Sequence, residues 1–143
     1  MTTIKNLIAN SNLPKHFWGR VTDNAISEFE REFGLTFPKD YREFLNAYGS
    51  GSIGSFEIYG LGYPETGIPN LVFLLKNKYA TDIREILSLF KSIPISNDGN
   101  FVYLVTNDRD IDFGKITYFY ESNNTYQKEI ICDSFTKYLK EHL

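Results

Sequence analysis

The chain has one cysteine, one tryptophan and two histidines in 143 residues. A lone cysteine, Cys132, cannot form an intrachain disulfide, and it excludes zinc sites built from paired cysteines. It sits in the apolar run Ile130-Ile131-Cys132, the setting of a buried, inert thiol. His16 and His142 stand near opposite ends of the chain. A Cys–His nucleophile pair would need distant segments to meet. No run approaches the roughly 20 apolar residues of a membrane span. The opening MTTIKNLIANSNLPKHF has neither the apolar stretch nor the cleavage site of a secretory signal, so the expected location is cytoplasmic. The formal net charge of −3 lacks the clustered Lys and Arg of a direct nucleic-acid footprint.

Aromatic residues, by contrast, are plentiful. Twelve Phe and ten Tyr bring the aromatic share to 16%, with 42% hydrophobic and 23% charged residues. That balance excludes disorder and is typical of a soluble globular domain. The length suits one domain with its own core. Residues 1–143 are expected to form it, with an N-terminal helix and irregular segment over 1–22 and a helical pair over 23–49. A sheet with a long helix and a closing helix should follow over 50–143.

Periodicity supports that division. Ile4, Leu7 and Ile8 fit a short helix. Residues 10–22 read as irregular, with Trp18 expected to pin them to the core. Thr22 or Asp23 can cap a helix carrying Ile26, Phe29 and Phe33, and Gly34 can end it. Leu35-Thr36-Phe37 is extended because the residue before a proline is pushed out of helical geometry. Pro38 then opens a second helix with Tyr41, Phe44, Leu45 and Tyr48 on one face.

Ser50-Gly51-Ser52 reads as a flexible turn, and Phe56 and Ile58 as part of a half-wet strand. The glycines and prolines over 60–69 mark a long loop. Residues 70–91 read as helical, with Leu75, Tyr79, Ile86, Leu87 and Phe90 inward and Thr81-Asp82 as a point of interruption. A meander follows: an edge strand at Ile93-Pro94-Ile95, a turn at 97–100, a central strand at 101–105, a loop at 107–114, and strands at 115–120 and 129–132. Asp133 is placed to cap a last helix carrying Phe135, Tyr138 and Leu139.

Glu30, Gly34, Phe37-Pro38, Asp40-Tyr41, Phe44-Leu45 and Gly49 together form a recognisable pattern. Through them the chain resembles the SUKH superfamily, the Smi/Knr-like group, and above all its small bacterial YobK-type members. Gly60, the turn at 97–100 and Asp133-Ser134-Phe135 also fit. Two departures stand out: Tyr48-Gly49-Ser50-Gly51 replaces the common Asn-Gly-Gly, and Phe37 replaces Leu before the proline. The resemblance implies an α+β fold, a mostly antiparallel sheet backed by helices. It also implies a binding role without catalysis. Bacterial members are typically immunity proteins that neutralise a cognate toxin, often a nuclease, and fungal members are regulatory or scaffold proteins.

The residues themselves offer little chemistry. The segment Asp108-Arg109-Asp110-Ile111-Asp112-Phe113-Gly114 alternates carboxylates, but an EF-hand counted from Asp108 would need Gly and Glu where Phe113 and Phe119 stand. Gly49-Ser50-Gly51-Ser52 follows a helix and lacks the Gly-Lys-Ser/Thr ending of a phosphate loop. No spacing among Glu57, Glu65, Asp98 and the loop aspartates selects a hydrolytic pair. No catalytic, cofactor or metal residue is therefore expected. Tyr59, Asp98, Asp108 and Asp110 are the expected partner contacts, because carboxylates meeting a basic toxin surface speed association and sharpen specificity. A scaffold module binding a cellular protein, and a small-molecule binder with a pocket walled by Phe and Tyr, are the rival readings.

Overall fold

A computed structural model describes residues 3–62 and 70–143. The expected loop over 60–69 lies, for residues 63–69, outside the described residues. The first helix, α1 (Ile4–Asn10), is capped by Thr3, whose hydroxyl accepts the Asn6 N–H at 3.1 Å. It buries Ile4 and Ile8. The segment expected to be irregular contains a three-residue strand, β1 (Lys15–Phe17), paired antiparallel with β2 (Gly51–Ile53). Gly51 and Ser52 are thus ladder, not loose turn, and Ser50 bends the chain just before them. Gly51 is needed for close approach: a Cβ there would stand 2.1 Å from the His16 carbonyl oxygen.

Helix α2 (Asp23–Phe33) starts at Thr22, whose hydroxyl accepts the Ala25 N–H, and stops at Gly34 in left-handed geometry, φ 66°. Helix α3 (Lys39–Tyr48) begins one residue later than expected, with Pro38 just outside it. Its inner face, Tyr41, Phe44 and Leu45, has no measurable exposure. Removing a side chain as buried as Phe44 typically costs about 3–5 kcal/mol.

Strand β3 (Phe56–Ile58) completes a sheet of order β1-β2-β3. The single helix expected over 70–91 is two, α4 (Leu71–Lys76) and α5 (Thr81–Phe90). The break falls just before Thr81, where Asn77 is extended and its side chain accepts the Tyr79 N–H. Tyr79, expected inside, is 81% exposed; Ile86 is buried as expected, and Ile83 turns inward beside it.

The last third is the expected meander. Strands β4 (Ser92–Asn97), β5 (Phe101–Val105), β6 (Ile116–Ser122) and β7 (Thr125–Cys132) lie in that order, all antiparallel. Asn123 and Asn124 take positive φ in the β6–β7 turn, the backbone of a tight hairpin. Strand β7 starts four residues before the expected 129, because its alternating polar residues hide a ladder that β6 supplies. Ser134, not Asp133, caps α6 (Phe135–Lys140) by accepting the Lys137 N–H at 3.1 Å. The expected α+β class holds: two antiparallel sheets with six helices among the described residues.

The sheets are joined between β3 and β4. Tyr59 N–H donates to the Ile95 carbonyl at 2.7 Å, and Ser96 Oγ donates to the Glu57 carbonyl at 2.6 Å. Helices α1, α3 and α6 contribute Ile8, Phe44 and Phe135 to the same core as Val102, Leu104 and Ile116 from the larger sheet.

Candidate interaction site

The residues of the family-like pattern are architectural. Glu30 Oε2 accepts the Phe37 N–H at 2.8 Å, and Oε1 meets Arg42 at 2.6 Å. This ties the end of α2 to the start of α3. Gly60 closes against Gly49, so that a Cβ on Gly60 would stand 1.8 Å from the Gly49 carbonyl oxygen. These contacts hold the fold together at the α2–α3 junction and at Gly49.

The four expected contact residues separate. Tyr59 is 3% exposed. Its N–H pairs with Ile95, and its carbonyl accepts the Tyr41 hydroxyl at 2.6 Å. It belongs to the core and offers a partner no side chain. Sequence alternation placed it on the wet side of β3, but the β4 edge covers it. Asp98 is exposed in the β4–β5 turn and accepts the Tyr118 hydroxyl. That bond, followed by burial, pushes the Tyr118 phenol up to about 12.

Asp108 is exposed and lines a cleft of about 460 Å³ with Glu30, Arg31 and Lys91. Asp110 is half-buried and 3.6 Å from Lys128. Asp112, which alternation set beside it, meets Lys128 at 2.8 Å and Lys115 at 3.3 Å. The Lys128 bond holds the Asp112 carboxyl below its ordinary value. Burial pulls Lys128 down, but Asp112 and Asp110 leave it raised overall. Among the expected contacts, Asp98 and Asp108 are the exposed carboxylates, and Asp98 is already held by the Tyr118 hydroxyl.

Cys132 is buried, as expected, and its sulfur lies 4.0 Å from Glu141 Oε1. His142 Nδ1 contacts the Tyr138 carbonyl at 2.8 Å and its ring stacks on Phe56 at 4.1 Å. His16 lies in β1, edge-on to Trp18 at 5.1 Å. No hydrogen bond joins Cys132 to either histidine among the described residues.

Sequence reasoning missed a second acidic group. Asp82 and Glu85 on α5 and Glu121 on β6 bring carboxylate oxygens within 4.8 Å of one another, and all three are exposed. Asp82 and Glu85 are three apart on a helix, a visible signal. Glu121 joins them only through the fold. Tyr126 of β7 lies between them, its hydroxyl 2.9 Å from Glu85 and 3.2 Å from Asp82.

The described residues form an antiparallel α+β body with exposed carboxylates on its turns and on α5. A family model described as SMI1-KNR4 cell-wall matches residues 2–143. The chain belongs to this SUKH family, over essentially its whole length. No curated protein matches the chain significantly. No helix among the described residues is long and apolar enough to cross a membrane.

Proposed function

We propose that this chain is an immunity protein of a bacterial toxin system. It binds a cognate toxin domain, with a nuclease as the favoured class, and blocks it without transforming it. The observation that carries this reading is the family match over residues 2–143, since binding of toxins is the family's usual bacterial role. The exposed carboxylates at Asp98 and Asp108 add support, because a nuclease presents a basic surface and complementary charge steers association. Inhibition of this kind needs surface complementarity, and it places the contacts on turns and loops of a rigid scaffold.

The test is co-expression with the toxin encoded beside this gene. Protection of the host and a one-to-one complex on size exclusion are expected. Protection that consumes a substrate, or a toxin that stays active in the presence of excess partner, would overturn the reading.

A further inference from the structure

Three cations from separate elements meet at one groove. Lys5 stands on α1, Arg20 on the segment between β1 and α2, and Lys39 at the start of α3. Together they line a cleft of about 440 Å³. Its long wall is the outer face of α3, where Lys39, Arg42, Glu43 and Asn46 recur at i, i+3, i+4 and i+7. Lys5, Arg20 and Lys39 are exposed, and none makes an ion pair among the described residues. Arg42 is engaged by Glu30 and Asp23. Three cations against the single carboxylate of Glu43 leave the groove positive, on a chain whose net charge is −3.

The charges are carried on fixed backbone. Buried Ile4 and Ile8 anchor α1. The segment that carries Arg20 is tied to α3, since Val21 N–H donates to the Leu45 carbonyl at 3.2 Å and Asn46 Nδ2 donates to the Val21 carbonyl at 2.9 Å. A second observation is independent of the charges. Trp18, the chain's one tryptophan, is 42% exposed and stands two residues before Arg20. Its N–H donates to the Ser50 carbonyl at 3.0 Å, and Gly19 N–H donates to the Tyr48 carbonyl at 3.1 Å. Trp18 is thereby seated where the chain crosses the end of α3, the end that Ala47 brings into the groove. The fold does not use the indole, because Phe17 and Val21 hold this segment. Tryptophan and arginine are the residue types that most often anchor protein interfaces.

We propose that this groove docks an acidic segment of a protein partner, with its carboxylates on Lys5, Arg20 and Lys39 and an apolar side chain against Trp18. The Arg20 guanidinium offers a flat fork that matches a carboxylate, and the lysine stems and Ala47 give the segment an apolar wall. Single-stranded nucleic acid also combines negative charge with groups that stack on an indole. Its repeated phosphates, however, would run on from three cations into a surface with 18 carboxylates against 15 cations, and Glu43 stands within the groove. A short acidic segment meets the three charges and ends. The surface stands apart from the toxin reading, in which a basic partner meets the carboxylates of Asp98 and Asp108.

The test uses the full chain and a hexa-glutamate peptide ending in two leucines, with hexa-lysine as control and hexathymidylate as the rival ligand. Trp18 is the chain's one tryptophan, so its emission reports on this groove directly. A saturable blue shift is expected with the acidic peptide, weakening as salt is added, and none with hexa-lysine. In the ¹⁵N-labelled protein the amide shifts should map to residues 5, 18–20 and 39–47. The charge-reversed variant K5E/R20E/K39E should bind at least about tenfold more weakly. Its three altered side chains are exposed, so it should melt as the wild type does. Trp18→Ala should leave the shifts in place and weaken binding by about fivefold. Shifts confined to other surfaces, an equal response from the charge-reversed variant, or hexathymidylate binding these residues as tightly as the peptide would each overturn the proposal.

Discussion

Asp40 and Thr136 lie 96 positions apart, yet one carboxylate oxygen of Asp40 accepts both the Thr136 N–H at 2.9 Å and its hydroxyl at 2.8 Å. The other oxygen accepts the Tyr41 N–H at 2.8 Å. Asp40 thus supplies, from the start of α3, an acceptor for a free N–H in the first turn of α6. Asp40→Ala should lower stability by about 2–3 kcal/mol, since hydrogen bonds to a charged group contribute more than neutral ones. Thr136→Val should cost less, and the double variant should cost less than the sum of the two. Urea denaturation of the four proteins measures the coupling, and additive losses would show that the contact does not bind the two helices together.

Two glycines should respond differently to a single methyl group. At Gly60 a Cβ would lie 1.8 Å from the Gly49 carbonyl oxygen, so backbone must move. Gly60→Ala should cost more than about 4 kcal/mol and abolish soluble folded protein. Gly99 has φ 115° but open space around it. Gly99→Ala should cost only backbone strain, about 1 kcal/mol. Thermal melting of both variants separates collision from strain.

Alkaline titration should expose the Asp98–Tyr118 bond. The Tyr118 phenol is pushed up to about 12 from its ordinary 10.0. A raised folded value means that the bond's stabilisation is complete below pH 10 and is lost as the pH climbs through 12. Asp98→Asn should be less stable than wild type near neutrality, with the gap closing across that window. Phenolate absorbance should show one tyrosine of the variant ionising earlier. A gap that stays constant from neutral to strongly alkaline pH would assign the loss to something other than Tyr118.

Trp18 is 42% exposed and touches His16 edge-on. Its segment is held instead by Phe17, whose ring lies 4.4 Å from Tyr48, and by buried Val21. Trp18→Ala should shift stability by no more than about 0.5 kcal/mol. Iodide should quench its fluorescence in the folded protein nearly as well as in urea. Strong protection from iodide would place the indole inside.

The helical pair was legible because its signals are local. Thr22, Gly34 and Pro38 sit where caps and breaks belong, and Tyr41, Phe44 and Leu45 repeat with the helical period. The meander was legible for the same reason, from its asparagine and glycine turns. What escaped was set by distant partners. Strand β1 exists only because Gly51 lets the His16 carbonyl approach. Tyr59 is hidden by Ile95, 36 positions on in the chain, and nothing in the alternation of β3 reveals that cover. Of the candidate contacts, turn residues such as Asp98 and Asp108 were recognisable as solvent-facing. The convergence of Glu121 with Asp82 and Glu85 depends on how α5 lies across β6 and β7, which periodicity does not encode.

The seam between β3 and β4 also decides how the molecule behaves when crowded. Each strand would otherwise end its sheet with open amide and carbonyl groups, and each instead shields the other. The remaining borders are β1, three residues long, and β7, which carries Lys128 and Glu129 and an irregularity near Ile130. Short length, charge and a kink all discourage a foreign strand from adding on. The folded chain is thereby guarded against growing into fibrils.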